Sequence, residues 1–248
     1  MRYRTVIVMK YAVDLHIHSA LSPCGDSDMT PNNIVNMAIV KGLDAIAVTD
    51  HNSAANLKAV SRCALNSGIL FIPGMEVETS EEIHLVCLLP STDAAIELQK
   101  CVYNALPETI NREDIFGKQL IMDENDEIIG KESRFLITAT KLDSYQVVSL
   151  VRKLGGAVMP AHVDRPSYSM LSSFGVIPAD LELAYLEISQ KCDKYTYRAK
   201  KPELDGYRII KSSDAHYLGN ILERESLLEL EQLSVQAIID EINSKVSR

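Results

Sequence analysis

The chain has 248 residues, 46% of them hydrophobic and 24% charged, which supplies enough apolar side chain for one large core. Its formal charge of -9 argues against wrapping long nucleic acid or resting on an anionic membrane. Small anionic substrates stay open, because bound cations can invert a local field.

The opening MRYRTVIVMK holds an apolar run from Val6 to Met9 that is too short for a signal core or a membrane span, so no membrane partner is expected. Strand-like apolar runs follow at Ala12–His16, Ala45–Thr49, Leu70–Pro73, His84–Leu89, Ala157–Ala161, Ala184–Ile188 and Arg208–Lys211. Helix-like segments fall between several of them. Thr30 reads as an N-cap with Pro31 at the first helical position, then Ile34, Val35, Ala38 and Ile39 as an apolar face and Gly42 as terminator. Ser53–Asn66, Tyr145–Leu154 and Ser234–Val246 are further helix candidates. Strands alternating with helices imply an α/β fold with a parallel sheet. Seven strands suggest a closed or nearly closed barrel, with a doubly wound sheet as the alternative. Residues 107–143 break the rhythm. Their QLIMDENDEIIG reads as a hairpin turning near Asp123–Asp126, an insertion between the fourth and fifth strands that could serve as a lid, a partner surface or a plain decorated loop. Five scattered cysteines, Cys24, Cys63, Cys87, Cys101 and Cys192, suggest a reducing cytoplasm rather than a disulfide framework.

All six histidines fall at strand ends. His16 and His18 in DLHIHS alternate along a strand and so project together, as capture of one metal ion requires. Asp214 and His216 in SSDAH repeat that spacing. His51 follows a strand in VTDH, His162 ends AVMPAH, and His84 begins IHLVCLL, the exception to the rule of strand C-termini. Glu76, expected just past the third strand in PGMEVE, offers a carboxylate able to bridge two ions, with Glu78 on the same face as a weaker candidate. A lone strand histidine is more often a hydrogen-bonded core residue. Six at strand ends, with two X-spaced pairs and a Gly-X-Glu, point instead to a metal centre.

In order along the chain, DLHIHS, VTDHN, GMEVE, IHLV, PAH and SSDAH resemble the motifs of the PHP (polymerase and histidinol phosphatase) family, over Val13 to Tyr217. The resemblance implies a distorted (β/α)7 TIM-like barrel spanning residues 1–248 as one domain, with a trinuclear centre and phosphoesterase activity. Carried over by motif, His16, His18, Glu76 and Asp214 would hold a first ion, Glu76, His84 and His162 a second, and His51 and His216 a third. Many members place a further His or Asp shortly after the second motif histidine, where this chain has Pro23 and Cys24, with Asp26 beyond. Cys24, Asp26 or neither completes the third site, Cys24 being preferred; as a thiolate it would favour a softer ion.

The expected cofactors are two or three divalent ions, zinc, manganese or iron, and the expected chemistry is attack on phosphorus by a hydroxide bound to them. Asp50 would orient a ligand or its water. Arg165, in AHVDRPSYS, would face the site mouth and grip phosphate. After the sixth strand, Lys191, Lys194, Arg198, Lys200 and Lys201 with Tyr195 and Tyr197 form a local basic run, read as either a second phosphate or base contact or a solvated loop. The leading reading is a phosphatase for a small phosphorylated metabolite or nucleotide. A nuclease or phosphodiesterase acting on short nucleic acid comes second. C–N hydrolysis ranks lower, because the fourth strand ends LLPS without a lysine. A non-catalytic metal-binding module should have lost ligands, and this chain has kept nearly all of them.

Overall fold

The computed structural model describes residues 7–244, so Val6 of the first apolar run and the last residues of the expected C-terminal helix, 245 and 246, lie outside the described residues. The first half of the chain holds β1 (Met9–Ile17), α1 (Pro31–Val40), β2 (Ala45–Val48), α2 (Leu57–Ala64), β3 (Leu70–Glu78), β4 (His84–Leu88), α3 (Thr92–Ala105) and the short α4 (Glu113–Phe116). Then come β5 (Leu120–Met122), β6 (Ile128–Lys131), α5 (Ser144–Lys153), β7 (Ala157–Pro160), α6 (Met170–Phe174), β8 (Tyr185–Ser189), α7 (Lys194–Lys200), β9 (Arg208–Ser212), β10 (Leu227–Leu230) and α8 (Val235–Asn243).

Local chemistry accounts for most helix boundaries. The Thr30 hydroxyl accepts the Asn33 N–H with Pro31 next in line, and Gly42 follows α1 at φ +70°. Asp143 and Gln146 form a reciprocal capping box on α5. The second helix starts later than expected, at Leu57 rather than Ser53. The Ser53 hydroxyl and the Ala54 N–H are both spent on the Gln99 side chain of α3, and Asn56 is spent on Ser19 and on β5.

Six strands form one curled sheet in the order β10-β1-β2-β3-β4-β7. The expectation of a wholly parallel sheet is corrected here. β1, β2 and β3 run parallel, but β4 is antiparallel to both β3 and β7. The reason is length: only Thr79–Ile83 separate β3 from β4, and a parallel return needs a crossover of a dozen residues or more. The same hairpin extends β3 well past Pro73, so Glu76 and Glu78 lie on the strand itself, paired with Val86 and His84. β8 and β9 form a separate parallel pair. It packs beside both margins of the curl, with Val163 N–H donating to the Glu187 carbonyl and Ile17 bridging Ala215. The edge strand β10, absent from the sequence expectations, pairs with the first residues of β1.

One face of the sheet packs Ile46, Val48, Met75 and Leu85 against Ile34 and Val35 of α1, Val60 of α2 and Leu98 of α3. The other gathers Val13, Leu15, Ala47, Ile72, Val86 and Met159, closed over by Ile238, Ile239 and Ile242 of α8. Residues 120–131 do form the expected hairpin, turning through Asp123–Asp126. Among the described residues no helix is long and apolar enough to cross a membrane, and all five cysteines are free.

At Gly74 the strands β2, β3 and β4 crowd together. A Cβ there would lie 2.6 Å from Thr49 Cγ2, 3.1 Å from the Cys87 carbonyl oxygen and 3.2 Å from that of Val48. Gly74→Ala is therefore expected to lower the unfolding free energy by about 1–3 kcal/mol, the usual range for overpacking, read from urea denaturation. An unchanged midpoint would mean that β2, β3 and β4 can part at no cost.

Candidate metal centre

The antiparallel course of β4 removes the exception noted for His84. A strand that runs backwards begins at the rim where its neighbours end, so His84 faces Glu78 in register and joins the C-terminal ends of β1, β2, β3 and β7. All six histidine rings meet there, with neighbouring centroids 4.3–6.4 Å apart.

Glu76 is the hub and is 1% exposed. Its two carboxylate oxygens lie 2.9 Å from His51 Nδ1, 2.9 Å from His84 Nδ1, 3.3 Å from both His16 Nε2 and His18 Nε2, and 3.4 Å from His162 Nε2. Asp214 lies 3.0 Å from His18 Nε2 and 3.4 Å from His16 Nε2. Donor atoms fall into three overlapping groups, each within 4.8 Å: His16, His18, Glu76 and Asp214; His51, Glu76 and His84; and His18, His51 and His216. The first matches the expected set. The second takes His51 where the family pattern suggested His162, and the third adds His18.

Several contacts fix which imidazole nitrogen points inward. Glu187 on β8 accepts from His16 Nδ1 at 3.0 Å, leaving Nε2 of His16 bare. The Ser22 hydroxyl donates to Asp50 and can therefore only accept from His18 Nδ1 at 3.0 Å, so His18 Nε2 is the inward nitrogen, 3.0 Å from Asp214 Oδ1. His216 Nδ1 donates to the Asp214 carbonyl and frees its own Nε2. The inward nitrogens of His16 and His18 then sit 3.2 Å apart. Two lone pairs at that separation repel unless a cation or a proton lies between them. Likewise His51 Nδ1 and Glu76 Oε2 lie 2.9 Å apart yet neither has a hydrogen-bond partner, and His84 Nε2, His162 Nδ1 and Glu78 Oε2 are buried without one. Such a concentration of orphaned buried donors and acceptors fits divalent cations.

Two of these residues also carry backbone strain: His162 stands at φ +31° and Asp214 at φ +50°, a region that side-chain-bearing residues rarely adopt. Asp50 stands behind the donors. Its oxygens take the Ser19 N–H, the Ser19 hydroxyl and the Ser22 hydroxyl, so it acts on His18 through Ser22. Arg165 lies at the mouth, half exposed, with its guanidinium 2.7 Å from Asp214 Oδ2.

Cys24 and Asp26 are not brought into the donor groups. The Asp26 carboxylate is turned aside to accept the Asp28 N–H at 2.8 Å. Cys24 is exposed at the rim, where packing around its sulfur and the charges of Glu76 and Asp214 push its thiol up. The basic run after β8 is not a loop: Asp193 caps it as α7. Tyr197 and Arg198 donate to the Val163 and Tyr207 carbonyls. Sequence reading missed Glu187, Ser19 and Ser22. Glu187 did leave a signal, as a lone carboxylate inside the apolar run AYLEI.

Electrostatics follow from burying two carboxylates among imidazoles. Burial would raise both, yet His84, His16 and His51 hold Glu76 well below the carboxylate range, and His16 and His18 do the same for Asp214. Burial likewise would depress the imidazoles. Hydrogen bonds to Asp214 and Glu76 outweigh it at His18, and the charge of Glu76 does so at His84, raising each to about 9. Glu187 and Glu76 raise His16 as well. Burial wins at His51, which is lowered, and at His216, lowered to about 3.

A profile for the PHP domain matches residues 14–154, more than half of the chain. The chain belongs to the PHP domain family. A 5′-3′ exoribonuclease of Haemophilus influenzae is 32% identical over 97 residues, 36% of this chain and 34% of that protein. A 3′,5′-nucleoside bisphosphate phosphatase of Chromobacterium violaceum is 34% identical over 74 residues, 30% of this chain and 25% of that protein. Curated relatives are matched over only 22–44% of their own length. Among solved structures, a lesion-specific endonuclease from Pyrococcus furiosus superposes with a TM-score of 0.68 at 20% identity, covering 95% of this chain and 56% of that one, a likeness of fold. PHP domains are metal-dependent, in keeping with the His, Glu and Asp groups found here.

Two outcomes are expected for the protein itself. In metal-free protein, His18 and His84 are raised from 6.5 to about 9, so the stability they contribute is complete below pH 6.5 and is lost as pH climbs through about 9. His51 and His216 are lowered, already neutral above 6.5 in both states, and add no slope there. Chelator-stripped protein should therefore show a Tm that falls between pH 6.5 and 9, and saturating zinc or manganese should remove the fall; a flat profile in stripped protein contradicts this. Second, Glu187→Gln should weaken metal binding by about 10–100-fold with the fold retained, measured by competition with a chromophoric chelator.

Proposed function

We propose that this chain is a metal-dependent phosphoesterase acting on a small phosphorylated metabolite or nucleotide. The observation that carries the reading is Glu76, one buried carboxylate shared between two donor groups, with buried atoms of His51, His84, His162 and Glu78 around it left without partners and Arg165 close by on Asp214. His16, His18, Glu76 and Asp214 would hold one ion. His51, His84 and Glu76, with His162 adjoining, would hold a second. His216, with His18 and His51 near it, would contribute to a third, and Cys24 remains the rim residue nearest in kind to a further ligand. Bound ions supply Lewis-acid polarisation of the phosphoryl group and an acidified water. The chain's own residues do the rest. Arg165 exchanges its contact with Asp214 for a phosphate oxygen and orients the ester. Glu187 and the Asp50–Ser22 pair hold the outer nitrogens of His16 and His18 and so aim the inward ones.

The matched nucleoside bisphosphate phosphatase supports cleavage of a phosphate monoester, and the matched exoribonuclease supports a second reading, a phosphodiesterase for short nucleic acid. We read the curled sheet and the β8–β9 pair together as a distorted (β/α)7 barrel in one domain, with residues 107–143 inserted after its fourth strand. That segment rests on the loop after β1, where Leu120 N–H donates to the Ala20 carbonyl.

Elemental analysis of purified protein should find two or three equivalents of zinc, manganese or iron, in keeping with the three donor groups. Hydrolysis of phosphomonoesters should vanish with chelator and return on adding metal. Arg165→Ala should raise KM about tenfold or more with metal content unchanged. Protein that takes up no metal and cleaves no monoester or diester after metal is added back would sink the proposal and favour a binding module.

A further inference from the structure

Arg165 and Tyr168 lie three residues apart on the loop that leaves β7, and that loop is pinned at both ends. Arg165 N–H donates to the His162 carbonyl at 2.9 Å, and the Ser169 hydroxyl donates back to the Arg165 carbonyl at 2.8 Å. Ser169 then caps α6, whose first residue, Met170, is fully buried. Between these anchors Tyr168 is held at φ +55°, a left-handed conformation that costs an aromatic residue free energy and persists only where its surroundings impose it. Its carbonyl accepts the His84 N–H at 3.0 Å, and its ring sits 4.9 Å from the His84 ring with a tilt of 30°.

Tyr168 is nevertheless 47% exposed, and among the described residues its hydroxyl has no hydrogen-bond partner. A ring that served only to wedge His84 would be covered, and one held for its hydroxyl would be bonded. Beside His84 this residue keeps nearly half of its surface open to solvent. The Arg165 guanidinium, from the same loop and half exposed, lies 2.7 Å from Asp214 Oδ2. One loop thus carries a guanidinium against Asp214 and an aromatic ring against His84, each a member of the donor groups. Two neighbouring polar groups are engaged within the protein, Asp164 with Ser189 and Ser169 with Ser172.

We propose that Tyr168 is the specificity residue of this site: a nucleobase stacks on its exposed face while Arg165 holds the phosphate, so that the preferred substrate is a phosphate ester carrying a planar base. This rests on the phosphoesterase reading above and narrows it from phosphorylated metabolites to nucleotides. Stacking is indifferent to which base is offered, because every base has a π-face. Discrimination falls between esters with and without a base.

The test compares metal-loaded wild type, Tyr168→Ala and Tyr168→Phe. Nucleoside 5′-monophosphates and 3′,5′-bisphosphates are assayed beside glycerol phosphate and a hexose phosphate, and adenosine 5′-monophosphate binding is followed by titration calorimetry. Removing a stacking ring typically lowers affinity by about fivefold to more than a hundredfold. Tyr168→Ala should therefore raise KM and Kd for nucleotides about tenfold with kcat within about twofold, affect the base-free esters far less, and be rescued by Tyr168→Phe. A fall in kcat on every ester with metal lost, measured by elemental analysis, would assign the ring to holding His84 and overturn the proposal. So would equal effects on nucleotides and base-free esters. If the wild type cleaves no ester but Tyr168→Ala still weakens nucleotide binding, base recognition stands and the phosphoesterase reading fails. If esters are cleaved and Tyr168→Ala moves nothing, the reading stands and this inference fails.

Discussion

A carboxylate with almost no solvent contact has to be neutralised by its neighbours, and in this protein that carboxylate is Glu76. Five of the six imidazoles lie within ion-pair reach of it. Without cations the compensation comes from protons held on His16, His18 and His84, which is why those rings are raised while Glu76 and Asp214 are lowered. Cations and protons compete for the same inward lone pairs. The groups behind the histidines, Glu187 and the Ser22–Asp50 pair, occupy the outer nitrogens and so aim the inward lone pairs at that shared space.

The fold serves that arrangement by converging strand ends. Parallel β1, β2 and β3 bring His16, His18, His51 and Glu76 to one rim, and β7 and the segment after β9 bring His162, Asp214 and His216. β4 would have carried its histidine to the opposite end had it run parallel. Close strand packing at Gly74 brings β2, β3 and β4 together two residues before Glu76, while the apolar floor of Val13, Ile72, Val86 and Met159 keeps the lower half of the enclosure dry.

Much of this was legible in the chain. Alternation in DLHIHS put His16 and His18 on one side of the strand, and apolar runs ending at His16, His51 and His162 marked strand ends. What escaped has physical reasons. Glu187 acts on His16 across 171 residues, and no local pattern carries such a contact. Asp50 was readable as a supporting carboxylate, but its route through Ser22 depends on a loop fold that spacing alone does not determine. The β10 edge strand is only four residues long and half exposed, too short for its alternation to stand out. The direction of β4 and the helix α3, by contrast, were written in the sequence. Five residues are too few for a crossover, and Ser91 followed by Ala95, Leu98 and Val102 is a capped amphipathic helix.

The β3–β4 turn has a consequence for how this chain can change length. Strand side chains alternate faces, so inserting or deleting one residue among 79–83 would slip the register and swing His84 out of the centre, putting Ile83 or Leu85 in its place. Residues 107–143 carry no donor of the centre and, being a long excursion, can be lengthened at an entropic cost that grows only logarithmically. Two connections that neighbour each other in sequence thus face opposite constraints: the shorter one keeps its residue count, and the longer one is where the chain is free to acquire new surface.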